Sequence, residues 1–134
     1  MSSHEPTLTT DPALADILRE LAALEPIFHH PEHGSSRADF ERITPPDFWE
    51  VGATGRRYSR AFVLDVLDQR RLHPESEVFE TSDFYCRLLA PDVYLLTYTL
   101  LQNDRRLTRR STIWQHTPSG WQIIFHQGTI VQDT

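Results

Sequence analysis

The chain has 134 residues, the size of one ordinary domain, with 13 Lys+Arg against 19 Asp+Glu and a net charge of −6 when His is neutral. That acidity argues against nucleic-acid or anionic-membrane partners, which need a positive surface. One cysteine, Cys86, excludes an internal disulfide and a thiol-rich metal site. The expected organisation is a single domain over 1–134, long enough to bury a core without staples.

Residues 1–11 are polar and lack the basic-then-apolar order of a secretory signal, so they read as a tail before the first helix. No stretch reaches the roughly 20 apolar residues of a membrane helix. The cytoplasm is therefore the expected compartment. Asp11-Pro12 is a helix start, with an N-cap acceptor ahead of a proline whose missing N–H costs nothing there. Leu14, Ile17, Leu18, Leu21 and Leu24 follow at helical spacing and predict an amphipathic helix. Ser36 and Asp39 mark a second start, with Phe40 and Ile43 inward and Pro45-Pro46 at the end. Phe48 to Val51 is a short strand, followed by a turn over Gly52 to Gly55. Ser59 caps a third helix whose inward stripe is expected to be Phe62, Val63, Val66 and Leu67.

From Glu77 onward the pattern turns to β. Four runs, Val78 to Leu89, Val93 to Gln102, Arg105 to His116 and Trp121 to Val131, are joined by short connections and predict an antiparallel meander. Three helices are available to cover one face of that sheet. The expected architecture is an α+β roll in which the sheet bends around the helices, leaving room for a cavity at its open end.

Register follows from the last hairpin, where Thr117-Pro118-Ser119-Gly120 suits a type I turn with a left-handed glycine. Setting Thr117 against Trp121 places Trp114 opposite Ile124, Thr112 opposite His126 and Arg110 opposite Gly128. Arg110, Thr112, Trp114, Ile124 and His126 then share one face, which suggests a pocket with a few placed polar groups. Ile113, Ile123 and Phe125 share the other, and no helix remains to cover them. This predicts a homodimer through the outer sheet face. Arg110 is either a ligand group or half of an internal ion pair with Glu50 or Glu80, and His126 either faces a ligand or bonds the backbone.

Glu50 is the best carboxylate candidate, because burial beside Phe48, Trp49 and Val51 would raise its pKa toward a usable base. Alternation allows only one of Trp49 and Glu50 to see the cavity. Tyr58 is a possible donor at the rim. His29, His30 and His33 with Glu32 have the composition of metal ligands but no recognisable spacing, so no metal is expected. Arg105, Arg106, Arg109 and Arg110 alternate between faces and do not form a phosphate track. No cofactor is expected.

Phe48-Trp49-Glu50-Val51-Gly52, Gly55 with Tyr58-Ser59-Arg60, Arg110-Ser111-Thr112-Ile113-Trp114, Gly120-Trp121 and Phe125-His126-Gln127-Gly128-Thr129 together resemble the nuclear transport factor 2-like, or SnoaL-like, superfamily. Within it the chain looks like a subgroup of uncharacterised bacterial domains. The resemblance implies a cone-shaped fold, a strongly curved sheet around a pocket and a homodimer through the outer face. Its members include isomerases, dehydratases, hydrolases, cyclases and non-enzymatic domains, so fold leaves function open. Three readings follow: a pocket protein for a small, partly apolar organic molecule; a lyase or isomerase in which Glu50 or His126 moves a proton; and a non-catalytic interaction module. For these, the catalytic candidates are Glu50 and His126, and the ligand-binding ones Trp49, Tyr58, Arg110, Thr112 and Trp114.

Overall fold

The structure is a computed structural model that describes residues 4–25, 37–72 and 78–132. Asp11 Oδ1 accepts the Ala13 N–H at 2.9 Å and opens a short 3-10 turn over Pro12–Leu14, which runs into α1 (Ala15–Leu24). Helix α2 spans Arg37–Ile43, and α3 spans Arg60–Leu72 with Ser59 Oγ accepting the Phe62 N–H at 3.2 Å. The strands are β1 (Trp49–Val51), β2 (Arg57–Ser59), β3 (Phe79–Ala90), β4 (Val93–Gln102), β5 (Arg106–Thr117) and β6 (Gly120–Ile130). The expected α+β roll is borne out, with each long strand within two residues of its predicted bounds. The proposed Ser36 cap and the His29, His30, Glu32 and His33 group lie outside the described residues.

Six strands form one curved sheet in the order β2-β1-β6-β5-β4-β3. It is mixed rather than wholly antiparallel, because β1 runs parallel to β6, with Glu50 beside His126. The short strand β2 folds back on β1 and completes that edge, setting Tyr58 opposite Glu50. Thr10 Oγ1 accepts the Cys86 N–H at 3.1 Å on the other edge strand, β3, and Glu5 pairs with Arg109 of β5 at 3.0 Å, so the segment before α1 is tied to the sheet at two points.

The helices cover the inner face. Leu21, Phe40, Phe48, Val63, Leu64 and Leu67 pack with Cys86, Leu96, Leu100, Trp114 and Ile123 of the sheet into one buried core. The α3 stripe differs from expectation: Leu64 is inside, whereas Phe62 is exposed and stacks on Tyr58 with ring centroids 4.9 Å apart. A stripe one residue further along puts Val63, Leu64 and Leu67 on a common face.

Two departures at the β5–β6 hairpin cancel. Gly120 has φ +115, as the turn required, but Thr117 pairs with Gly120 and Trp114 with Ile123, one residue off the expected register. An irregularity at Ile124 then takes up one residue, since Trp114 pairs with Ile123 and Ile113 with Phe125. Beyond it Thr112 meets His126 and Arg110 meets Gly128 as predicted. Consequently Ile123, expected on the outer face, is buried beside Trp114, and Ile124 leaves the inner patch.

Candidate functional site

Four strands aim polar side chains at one point on the inner face, and the last residue of the first helical segment meets them. Glu25 follows α1 on its apolar stripe, four residues after the fully buried Leu21, and is only 1% exposed. Its Oε1 accepts the Tyr98 hydroxyl at 2.8 Å and the Thr112 hydroxyl at 2.9 Å. Its Oε2 accepts the Trp114 indole N–H at 2.9 Å. Thr112 Oγ1 also lies 2.7 Å from His126 Nδ1. Tyr98, Thr112, Trp114 and His126 are all buried, so Glu25 is a carboxylate in the core that is satisfied by donors from β4 and β5.

The electrostatics separate the two titratable groups. Burial raises the Glu25 carboxyl from 4.5 to about 7, against the opposing pull of Tyr98, Thr112, Trp114 and the Arg110 charge. Burial, with Arg110 adding to it, lowers His126 from 6.5 to about 3. The closest approach of His126 Nδ1 to Glu25 Oε1 is 3.8 Å. With the imidazole neutral through the whole range where Glu25 ionises, this contact is not an ion pair. Tyr98 is pushed well above its ordinary value by burial and by Glu25, and stays a hydroxyl donor.

Arg110 lies one row along the same face. Its Nε donates to Thr108 Oγ1 at 2.9 Å, and its guanidinium lies across Gly128, where an added Cβ would meet Nη1 at 2.7 Å. Only glycine leaves that space. Glu50 reaches the same neighbourhood from β1, beside His126, and its Oε1 is buried, as is His126 Nε2.

Of the residues singled out from sequence, the inner face brings together Glu50, His126, Arg110, Thr112 and Trp114, with Tyr58 opposite Glu50 at the β2 edge. Trp49 is a correction. It points to the outer face, 44% exposed, and packs edge-on against Phe125 at 4.9 Å, because alternation along β1 gives the inner face to Glu50. Glu25 and Tyr98 were missed. The available signal was the 4-3-4 spacing of Leu14, Leu18, Leu21 and Glu25, which places a carboxylate on an apolar stripe.

No family model and no curated protein sequence matches the chain. Solved structures do. An uncharacterised protein with a cystatin-like fold from Caulobacter vibrioides superposes with a TM-score of 0.68 at 19% identity, over 84% of this chain and 87% of its own. A candidate dehydratase of the nuclear transport factor 2-like family from Streptomyces avermitilis gives 0.67 at 19% identity, over 88% and 97%. A nuclear transport factor 2-like protein from Cytophaga hutchinsonii gives 0.64 at 11% identity, over 91% and 100%.

Proposed function

We propose, for a chain whose fold is the nuclear transport factor 2-like one, that it binds a small, partly apolar organic molecule on the inner face of its sheet. Glu25, Thr112 and His126 are the polar floor of that site, Trp114 its apolar wall, and Arg110 with Glu50 its charged flank. One observation carries this reading: the buried Glu25 carboxyl, held by Tyr98, Thr112 and Trp114. A charge in a core is costly, and a clustered set of perturbed groups marks functional sites. The reading is tested by screening small carbonyl, hydroxyl and carboxylate compounds against tryptophan fluorescence and thermal shift. Binding that weakens in Arg110→Ala is the expected result. A panel with no binder, together with a crystal structure in which the protein's own side chains fill the inner face, would favour the interaction module.

A proton-transfer activity of the lyase or isomerase kind is the second reading. It is favoured by two neighbouring groups with separated titrations, one carboxyl raised to about 7 and one imidazole lowered to about 3. The neighbour from Streptomyces avermitilis agrees with that chemistry. Here Glu25 replaces Glu50 as the favoured carboxylate, because it is buried in the core and held by Tyr98, Thr112 and Trp114. Solvent-deuterium exchange into a bound carbonyl compound, lost in Glu25→Gln while binding persists, is the expected outcome. Exchange unaffected by that variant would contradict it.

The outer face supports the homodimer reading, with Trp49, Ile113 and Phe125 as its apolar surface. Among the described residues no helix is long and apolar enough to cross a membrane. The free thiol of Cys86 suits a cytoplasmic location.

A further inference from the structure

Thr112 connects the two titratable groups of the site and owns a single hydroxyl hydrogen. Its Oγ1 stands 2.9 Å from Glu25 Oε1 and 2.7 Å from His126 Nδ1, so it can donate to only one of them at a time. Glu25 and His126 themselves come no closer than 3.8 Å, too far for a hydrogen bond. Thr112 is the link between them.

Two arrangements satisfy all three groups. With Glu25 ionised, the carboxylate only accepts, Thr112 donates to it, and His126 must donate from Nδ1 to Thr112. The imidazole lone pair is then on Nε2. With Glu25 protonated at Oε1, the carboxyl donates to Thr112, Thr112 donates to His126 Nδ1, and the imidazole hydrogen is on Nε2. Trp114 selects which carboxyl oxygen takes the proton. An indole N–H only donates, and it faces Oε2 at 2.9 Å, so a proton on Oε2 would find no acceptor there, whereas one on Oε1 finds Thr112 Oγ1. Oε1 can hold the proton toward Thr112 and still accept Tyr98, which lies 2.8 Å away.

Resting on the proton-transfer reading above, we infer that Thr112 is a proton relay that couples the charge of Glu25 to the tautomer of His126. The imidazole is a base at Nε2 while Glu25 is ionised and an acid at Nε2 once Glu25 is protonated. In the forward step a C–H or O–H of the bound molecule gives its proton to Nε2 and keeps the electron pair. The Nδ1 proton passes to Thr112 Oγ1, and the Thr112 hydroxyl proton passes to Glu25 Oε1. One negative charge thus moves from Glu25 to the bound molecule, and the reverse sequence returns the proton. No imidazolium forms, which suits a buried ring that burial and Arg110 keep from charging near neutral pH. Among the described residues, the other titratable groups facing Glu25 are Tyr98 from β4 and Arg110 from β5, with Glu50 of β1 beside His126. Thr112 touches neither oxygen nor carbon of a substrate in this scheme and is a positioning residue.

The test is nitrogen NMR of the full chain labelled with 15N-histidine, from about pH 5 to about pH 9, a range that spans the ordinary imidazole titration. His126 is assigned by difference from His126→Gln. The expected result is that Nδ1 and Nε2 exchange pyrrole-type and pyridine-type signals, with the midpoint of the Glu25 carboxyl titration. Thr112→Ser should keep the exchange, and Thr112→Val should leave one tautomer throughout. Should Thr112→Val fail to fold, Glu25→Gln supplies the same check, since it should freeze the tautomer. A single tautomer across the Glu25 titration in the wild type, or an imidazolium forming there, overturns the relay. So does an exchange that survives in Thr112→Val or Glu25→Gln. The measurement needs no ligand, so an exchange seen in a protein with no detectable turnover counts against the proton-transfer reading alone. Turnover without the exchange counts against the relay alone.

Discussion

On β6, His126 is 1% exposed and meets Thr112 and, through it, Glu25, whereas its neighbour Phe125 points outward against the half-exposed Trp49. The same alternation on β5 sends Thr112 and Trp114 inward and Ile113 outward. The helix-covered face carries the core of Leu96, Leu100, Trp114 and Ile123 with Glu25, Thr112 and His126 buried in it, while the outer face mixes the rings of Trp49 and Phe125 with Thr99, Arg109 and Gln127. The usual pattern of a half-covered sheet, apolar on the covered face and polar on the open one, is thus broken at two places, by a polar cluster inside the core and by an aromatic pair outside it. Each exception agrees with a proposed task, proton chemistry for the buried cluster and association for the exposed rings. Polar groups on the outer face form a separate set, with Arg109 bonded to Thr99 at 2.5 Å and paired with Glu5.

The two faces should respond differently to substitution. Glu25→Ala leaves the Tyr98, Thr112 and Trp114 donors without their acceptor, and buried donors cost about 1–3 kcal/mol each when stranded. We expect a loss of about 3–5 kcal/mol in urea denaturation, with Glu25→Gln losing less because one oxygen still accepts. Equal losses in the two variants would show that the hydrogen bonds are not what holds Glu25 in place.

The pH dependence sharpens the comparison next. Glu25 is raised from 4.5 to about 7, so the folded protein holds a proton that the unfolded chain releases, and stability falls as pH rises between those values. His126 is lowered from 6.5 to about 3, so the unfolded chain binds the proton first, and stability is lost as pH falls through that window. From 4.5 to 6.5 the two effects oppose each other. Their joint contribution should be nearly flat there and should fall with decreasing pH below 4.5. Relative to wild type, His126→Gln should lose stability as pH rises across the flat window, and Glu25→Gln should gain it. Chemical denaturation at a series of pH values checks both slopes, and parallel curves for all three proteins would contradict the assignment.

The smallest effect on stability belongs to the outer face. Phe125→Asp should change monomer stability by only about 1 kcal/mol, in the ordinary range for substitutions outside the core, yet lower the sedimentation coefficient if the proposed homodimer forms through this face. A loss matching that of Glu25→Ala would mean that the outer ring is part of the core after all.

Local pattern and tertiary docking explain what was legible in the sequence. Alternation and turn chemistry revealed the four long strands and the Thr112–His126 and Arg110–Gly128 pairs, because each depends on residues close in the chain. The latter pairs emerged correctly although the hairpin register was one residue off, since the irregularity at Ile124 restored it. The short strand at Phe48 to Val51 was read, but β2 and the parallel β1–β6 pairing were not legible, since three residues show no alternation and a contact across some seventy residues leaves no local period. Glu25 was passed over for a similar reason. Its burial depends on the end of α1 docking onto β4 and β5, and a glutamate before a proline resembles a solvated helix end. The family resemblance was borne out in the fold, and it is at the level of fold that the solved structures agree.

We expect Glu25 to be a buried carboxyl held ready to exchange a proton near neutral pH. Carbon NMR of the 13C-labelled glutamate carboxyl, assigned by its disappearance in Glu25→Gln, measures this directly. The expected titration midpoint lies near pH 7, to which burial moves the group from 4.5. A midpoint at the ordinary value of 4.5 would show that the carboxyl is solvated and not held in the core.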